Sequence, residues 1–155
     1  MKVIRIIAII LVSVGMAFIL ACSEEKAASL EGNEDIAAVI QKLPECLDNP
    51  EINREIYADN AILKQEDIQT GFMIELRGLE QIENWRKDRG KLFRRTGLSI
   101  SSIEKEGDIA HVKYHIDLEG VQTDVESSRL SCSAEMLKIG PTWKIKEEIV
   151  KIKLN

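Results

Sequence analysis

Ala110-His111-Val112-Lys113-Tyr114-His115-Ile116-Asp117-Leu118 is the stretch on which the reading of this chain turns. Ala110, Val112, Tyr114, Ile116 and Leu118 alternate strictly with His111, Lys113, His115 and Asp117. A period of two puts every apolar side chain on one face of a β-strand. The turn signal Glu106-Gly107-Asp108 precedes it, so Leu98 to Glu104 is its antiparallel partner. Downstream, Leu130, Cys132, Ala134 and Met136 repeat the pattern, Gly140-Pro141 makes the next turn, and Trp143 to Leu154 forms the last strand. Its phase slips near Ile149-Val150, which predicts a bulge there.

Before Gly97 the period is helical. Ile36, Val39, Ile40, Leu43 and Leu47 recur at steps of three and four and predict a helix from about Glu34 to Leu47, shortened or kinked by Pro44. Asn49-Pro50-Glu51 has the cap, first-turn proline and acid of a second, short helix ending near Tyr57. Ala61 to Lys64 and Phe72 to Leu76 are short strand candidates around a turn at Gly71. Leu79, Ile82 and Trp85 mark a third helix from Gly78 to Arg89. Helices first and antiparallel strands afterwards indicate an α+β layer structure, with helices on one side of a curved sheet.

The chain has 155 residues, 45% of them hydrophobic and 30% charged, values of one ordinary domain rather than of a fibrous or disordered chain. Much of the apolar content sits at the front. Lys2 and Arg5 precede an uncharged run from Ile6 to Ile19, too short for the roughly 20 residues a spanning helix needs but right for a signal peptide. Ile19-Leu20-Ala21-Cys22 resembles a bacterial lipobox, whose cysteine is lipidated and becomes the new N-terminus. The expected organisation is a lipoprotein signal peptide over 1–21, the lipidated Cys22 with a small, polar tether over 22–33, and one domain over 34–155. Multiple acyl chains give stable membrane attachment. Ser23 stands where an Asp would favour inner-membrane retention, so the resemblance implies the periplasmic face of the outer membrane. Removing Lys2 and Arg5 takes the net charge from −5 to −7, which argues against nucleic-acid binding.

Several motifs of the domain resemble one family. Glu55-Ile56-Tyr57-Ala58-Asp59-Asn60-Ala61-Ile62-Leu63 is similar to the "F/Y-A-D-D-A-V" segment of nuclear-transport-factor-2-like (NTF2-like) proteins, the superfamily of ketosteroid isomerase and the SnoaL-like polyketide cyclases. Arg77-Gly78-Leu79-Glu80-Gln81-Ile82 resembles their "x-G-x-x-x-I" helix opening, Glu106-Gly107-Asp108-Ile109-Ala110 their "x-G-D-x-A" hairpin, and Pro141-Thr142-Trp143-Lys144-Ile145 their "G-x-W-K-I" final strand. The resemblance implies an α+β cone of about three N-terminal helices packed on a curved, mostly antiparallel sheet, with an interior pocket and often in a dimer. Here that dimer would form through the outward sheet face carrying His111, Lys113 and His115.

Fold does not settle chemistry. In the isomerase branch the general base would fall at Gln65, the oxyanion tyrosine near Leu43 and the neutral acid around Ser131 to Ala134; none of these positions has the required group. An enzyme of the SnoaL-like cyclase, dehydratase or isomerase kind would need another pocket carboxylate, from Glu66, Asp67, Glu75 or Glu147. The favoured reading is a non-catalytic, lipid-anchored domain that takes a small apolar ligand or an envelope protein. The ligand-pocket candidates are Tyr57, Phe72, Glu75, Trp85, Tyr114, Trp143 and Glu147. A closed cone filled by the aromatic residues favours binding, and an open cavity with a desolvated carboxylate favours catalysis.

No cofactor or metal is expected. His111 and His115 lie four residues apart on a strand, about 13 Å, too far to share a metal. Cys46 and Cys132 both fall on apolar faces, and a periplasmic location permits a disulfide between them. Arg86, Lys87, Arg89, Lys91, Arg94 and Arg95 put six cations in ten residues, read as a solvated helix end with contact to anionic lipid heads or an acidic partner as the sharper alternative.

Overall fold

The computed structural model describes residues 30–121 and 127–152. The expected signal peptide, Cys22, most of the expected tether and the end of the last predicted strand therefore lie outside the described residues. Helix α1 (Glu34–Gln41) leads into a 3-10 turn (Leu43–Leu47), a second 3-10 turn (Pro50–Ile52) and the one-turn helix α2 (Asn53–Ile56). Strands β1 (Tyr57–Asp67) and β2 (Met73–Arg77) form a hairpin, helix α3 (Leu79–Gly90) follows, and β3 (Phe93–Glu106), β4 (Ile109–Gly120), β5 (Ser128–Ile139) and β6 (Thr142–Ile152) complete the chain. Pro44 ends the α-helical geometry of the first predicted helix, whose last turn tightens to 3-10. Asn49 caps the next turn by accepting the Glu51 amide at 3.2 Å.

The six strands form one curved sheet in the order β2-β1-β6-β5-β4-β3. Every pairing is antiparallel except β1 with β6. The parallel contact exists because β1 is inserted beside the last strand of the chain. On the concave face Ala110, Val112, Tyr114 and Ile116 of β4 meet Leu130, Cys132, Ala134 and Met136 of β5 and Trp143, Ile145, Val150 and Ile152 of β6. The helices close this face with Ile36, Ile40, Leu43, Ile56 and Ile82. Burying a side chain of this size contributes about 1.5–3 kcal/mol. Helix α3 comes so close to the first 3-10 turn that a Cβ on Gly90 would lie 2.4 Å from the Leu47 carbonyl oxygen; only glycine fits there.

Three irregularities in the ladder decide which side chains face the core. In β6 Ile145 pairs with Met136 and Glu147 with Glu135, leaving Lys146 as an extra residue. The bulge is thus earlier than the slip expected at Ile149-Val150. In β3 Thr96 and Ser101 are extra against β4. An extra residue flips the alternation beyond it. As a result Glu148 in β6 and Arg95 in β3 share the inward parity of their apolar neighbours, the latter opposite Leu118.

Candidate functional site

Glu148 is fully buried. Its Oε2 accepts hydrogen bonds from the Tyr57 hydroxyl and, at 2.7 Å, from Arg86 Nη2. Its Oε1 accepts the Tyr114 hydroxyl at 2.5 Å. Arg86 Nη2 also donates to the Tyr57 oxygen at 2.5 Å. Four elements contribute: Tyr57 from the start of β1, Arg86 from α3, Tyr114 from β4 and Glu148 from β6. Arg86 is on the buried side of α3 because it lies four residues after Ile82, directly above it on the helix face. Its guanidinium stacks on Trp85 and Tyr57, 5.4 and 5.8 Å from the ring centres.

The electrostatics follow from this packing. Burial alone would raise the Glu148 pKa, but Arg86, the two phenolic donors and Arg95 outweigh it and hold the carboxyl below its ordinary range. Burial, with the nearby carboxylate, pushes both Tyr57 and Tyr114 well above the ordinary phenol value. Glu148 is therefore an anion and the tyrosines are neutral donors. Arg95 adds a second cation. Burial first, then repulsion from Arg86, brings its pKa down to about 10, which still leaves it charged at neutral pH. Its Nε and Nη1, and Nε of Arg86, are buried without a hydrogen-bond partner among the described residues.

The predicted site residues fare unequally. Tyr57 and Tyr114 belong to the cluster. Trp85 is half-buried beneath Arg86 and also carries Arg89 at 5.3 Å. Trp143 is buried elsewhere, donating to Asp35 at 2.7 Å and so tying α1 to β6. Phe72 is 64% exposed at the tip of the β1–β2 hairpin, a correction to its assignment as pocket lining: β2 is an edge strand that the helices do not cover at that end. Glu75 is also exposed and pairs with Arg77. Glu147 points away from the core to Lys64 at 2.8 Å, because the bulge gives the inward position to Glu148. Glu66 pairs with Lys151 at 3.5 Å, and buried Asp67 accepts the Gln69 amide within its own turn. Gln65 accepts from Arg89 at 3.0 Å.

Cys46 and Cys132 are separate, buried free thiols, a correction to the disulfide that the expected compartment permits. The run of six cations divides. Arg86 and Arg95 turn inward, whereas Lys87, Lys91 and Arg94 are exposed; α3 ends at Gly90, Lys91 lies in the turn that follows, and Arg94 and Arg95 belong to strand β3, so the run is no single helix end. His111 and Lys113 stand on the outer sheet face, exposed, with His115 beside Ser131. Among the described residues no group of three His, Cys, Asp or Glu side chains is placed to hold a metal.

Glu148, Arg86 and Arg95 are the residues that sequence reasoning missed. Arg86 was reachable from the helical step after Ile82. Glu148 shows when parity is counted backwards from Ile152 and Val150 rather than forwards from Trp143.

The same architecture recurs in solved structures. An NTF2-like protein of unknown function from Silicibacter pomeroyi DSS-3 is 16% identical, with a TM-score of 0.61 over 79% of this chain and 97% of that one. A protein of unknown function with a cystatin-like fold from Nostoc punctiforme PCC 73102 is 13% identical, with a TM-score of 0.63 over 78% and 90%. An NTF2-like protein of unknown function from Shewanella baltica OS155 is 17% identical, with a TM-score of 0.58 over 78% and 93%. No family model matches the chain, and no curated protein matches its sequence. The domain thus has an NTF2-like fold, the α+β cone on a curved sheet that the sequence motifs imply.

Proposed function

We propose that this protein is a lipid-anchored envelope domain that binds a small ligand inside its cone without transforming it. The observation that carries the reading is the state of the one carboxylate in the core cluster. A general base needs a lone pair within hydrogen-bond reach of the substrate proton and a pKa near the working pH. Glu148 has neither: three donors occupy its oxygens, and its pKa moves down rather than up. The two phenols spend their protons on it. The other acids weighed from the sequence are engaged in ion pairs or in their own turn. The enzyme reading would need this cluster to open, and nothing in its geometry favours that.

Anchoring rests on the lipobox-like Ile19-Leu20-Ala21-Cys22 and the run before it. By the Ser23 argument the protein would sit on the periplasmic face of the outer membrane, and its outward sheet face with His111 and Lys113 would be free to pair with a second copy. The test is metabolic labelling with an alkyne analogue of palmitate. Label on the wild-type chain and its loss in Cys22→Ser supports the anchor; equal labelling of both, or of neither, overturns it.

A further inference from the structure

The interior cluster is out of balance. Two guanidinium groups, Arg86 and Arg95, face one carboxylate, Glu148, and the remaining ionisable groups around them do not help. Tyr57, Tyr114, Cys46 and Cys132 are all kept neutral by burial. Among the described residues one positive charge is left uncompensated. The hydrogen bonds say the same. Arg86 gives Nη2 to Glu148 and Tyr57, while its Nε and both Nε and Nη1 of Arg95 are shut away from solvent with no acceptor. Buried polar groups without partners are rare in native proteins, and a buried charge without one is costly.

Arg95 is also placed deliberately. The extra residue Thr96 turns it to the inner face, opposite Leu118; regular alternation from Leu98 would have sent the neutral Thr96 inward instead. Bulges concentrate where a side chain must be re-aimed next to a site. Partly buried Leu118 lies opposite Arg95, Leu98 and Ile100 follow along the inner face of β3, and half-buried Trp85 stacks on the other guanidinium.

We infer that the ligand of this cone is a small organic acid whose carboxylate takes the free N–H groups of Arg95 and Arg86 and whose apolar body lies against Leu98, Ile100 and Leu118. The inference rests on the binding reading above and narrows it to one chemical class. Glu148 and the tyrosines then serve as positioning residues, fixing Arg86 so that its Nε is presented.

The test compares phenylacetate with phenylacetamide, the same body without the charge, on the full-length chain purified in detergent, by thermal melts over a range of ligand concentration. A ligand that binds only the folded state raises the melting temperature with concentration. Charge-assisted hydrogen bonds to a buried guanidinium should make the acid bind about tenfold or more tighter than the amide. Arg95→Gln should remove that difference, while Arg94→Gln, on the exposed side of the same strand, should keep it. Equal binding of acid and amide, or a preference that survives Arg95→Gln, overturns the acid assignment and leaves a ligand-binding cone. Inorganic phosphate stabilising the chain as well as phenylacetate does would overturn the organic body. If phenylacetate, phenylacetamide and phosphate all leave the wild-type melt unchanged, the ligand-binding reading itself falls.

Discussion

Glu147 and Glu148 are the same side chain on adjacent residues of one strand, and they occupy different worlds. Glu147 faces outward and pairs with Lys64 at 2.8 Å, both side chains still partly wet. Glu148 faces the core, fully buried between Arg86 and two phenols. Composition cannot tell them apart; one extra residue, Lys146, does. The difference teaches that in this fold charge is placed by strand parity, and that bulges are the devices that choose which charge enters the cone.

The comparison breaks most sharply by removing each acid in turn. Glu148→Ala leaves Arg86 buried with no carboxylate, and breaking a buried pair from one side costs about 3–5 kcal/mol. Glu147→Ala removes a half-exposed pair, worth about 0–1 kcal/mol. Denaturant melts of the two variants should therefore differ several-fold in lost stability. Equal losses would mean that Glu148 is not the acid inside.

Much of the fold was open to reading because it rests on periodicity. The alternation from Ala110 to Leu118 gave β4 its face, and the three-residue spacing of Leu79, Ile82 and Trp85 gave α3 its position. The site was less open, for a reason that lies in the same rule. Alternation counted forwards from Trp143 puts Glu147 inside, and nothing local to Lys146 announces an inserted residue. Arg95 was hidden similarly by Thr96, and by the continuity of a cation run that the chain splits between a helix and a strand. Only long-range pairing with β4, β5 and β1 fixes these registers, and one sequence does not display it.

Acid sharpens the comparison on a second axis. The Glu148 pKa is lowered from its ordinary 4.5 by its partners, so the folded state holds the ionised form more strongly than the unfolded chain does. The stability this contributes is fully present above about pH 4.5 and is lost as pH falls through the lower, folded value. Glu148→Gln should therefore flatten part of the acid limb of a stability profile measured between pH 6 and pH 3. Glu147→Gln should leave that limb in place. An unchanged slope in the first variant would show that Glu148 is already neutral in the fold.

The smallest effect belongs to the thiols, where the expected result in the native state is silence. Cys46 and Cys132 are buried, and burial raises the pKa of each, so both the access and the thiolate that reaction requires are withheld. With Cys22 replaced by Ser, a thiol-reactive chromophore at pH 8 should find no reactive sulfur in the folded chain, and both sulfurs once it is denatured without reductant. Prompt reaction of one thiol in the folded state would mean that the cone opens readily near its charged cluster, since Cys46 lies within electrostatic reach of Arg86 and Arg95. No thiol after denaturation would mean a disulfide, which would draw the first 3-10 turn onto β5 and reshape the ground on which Arg95 stands.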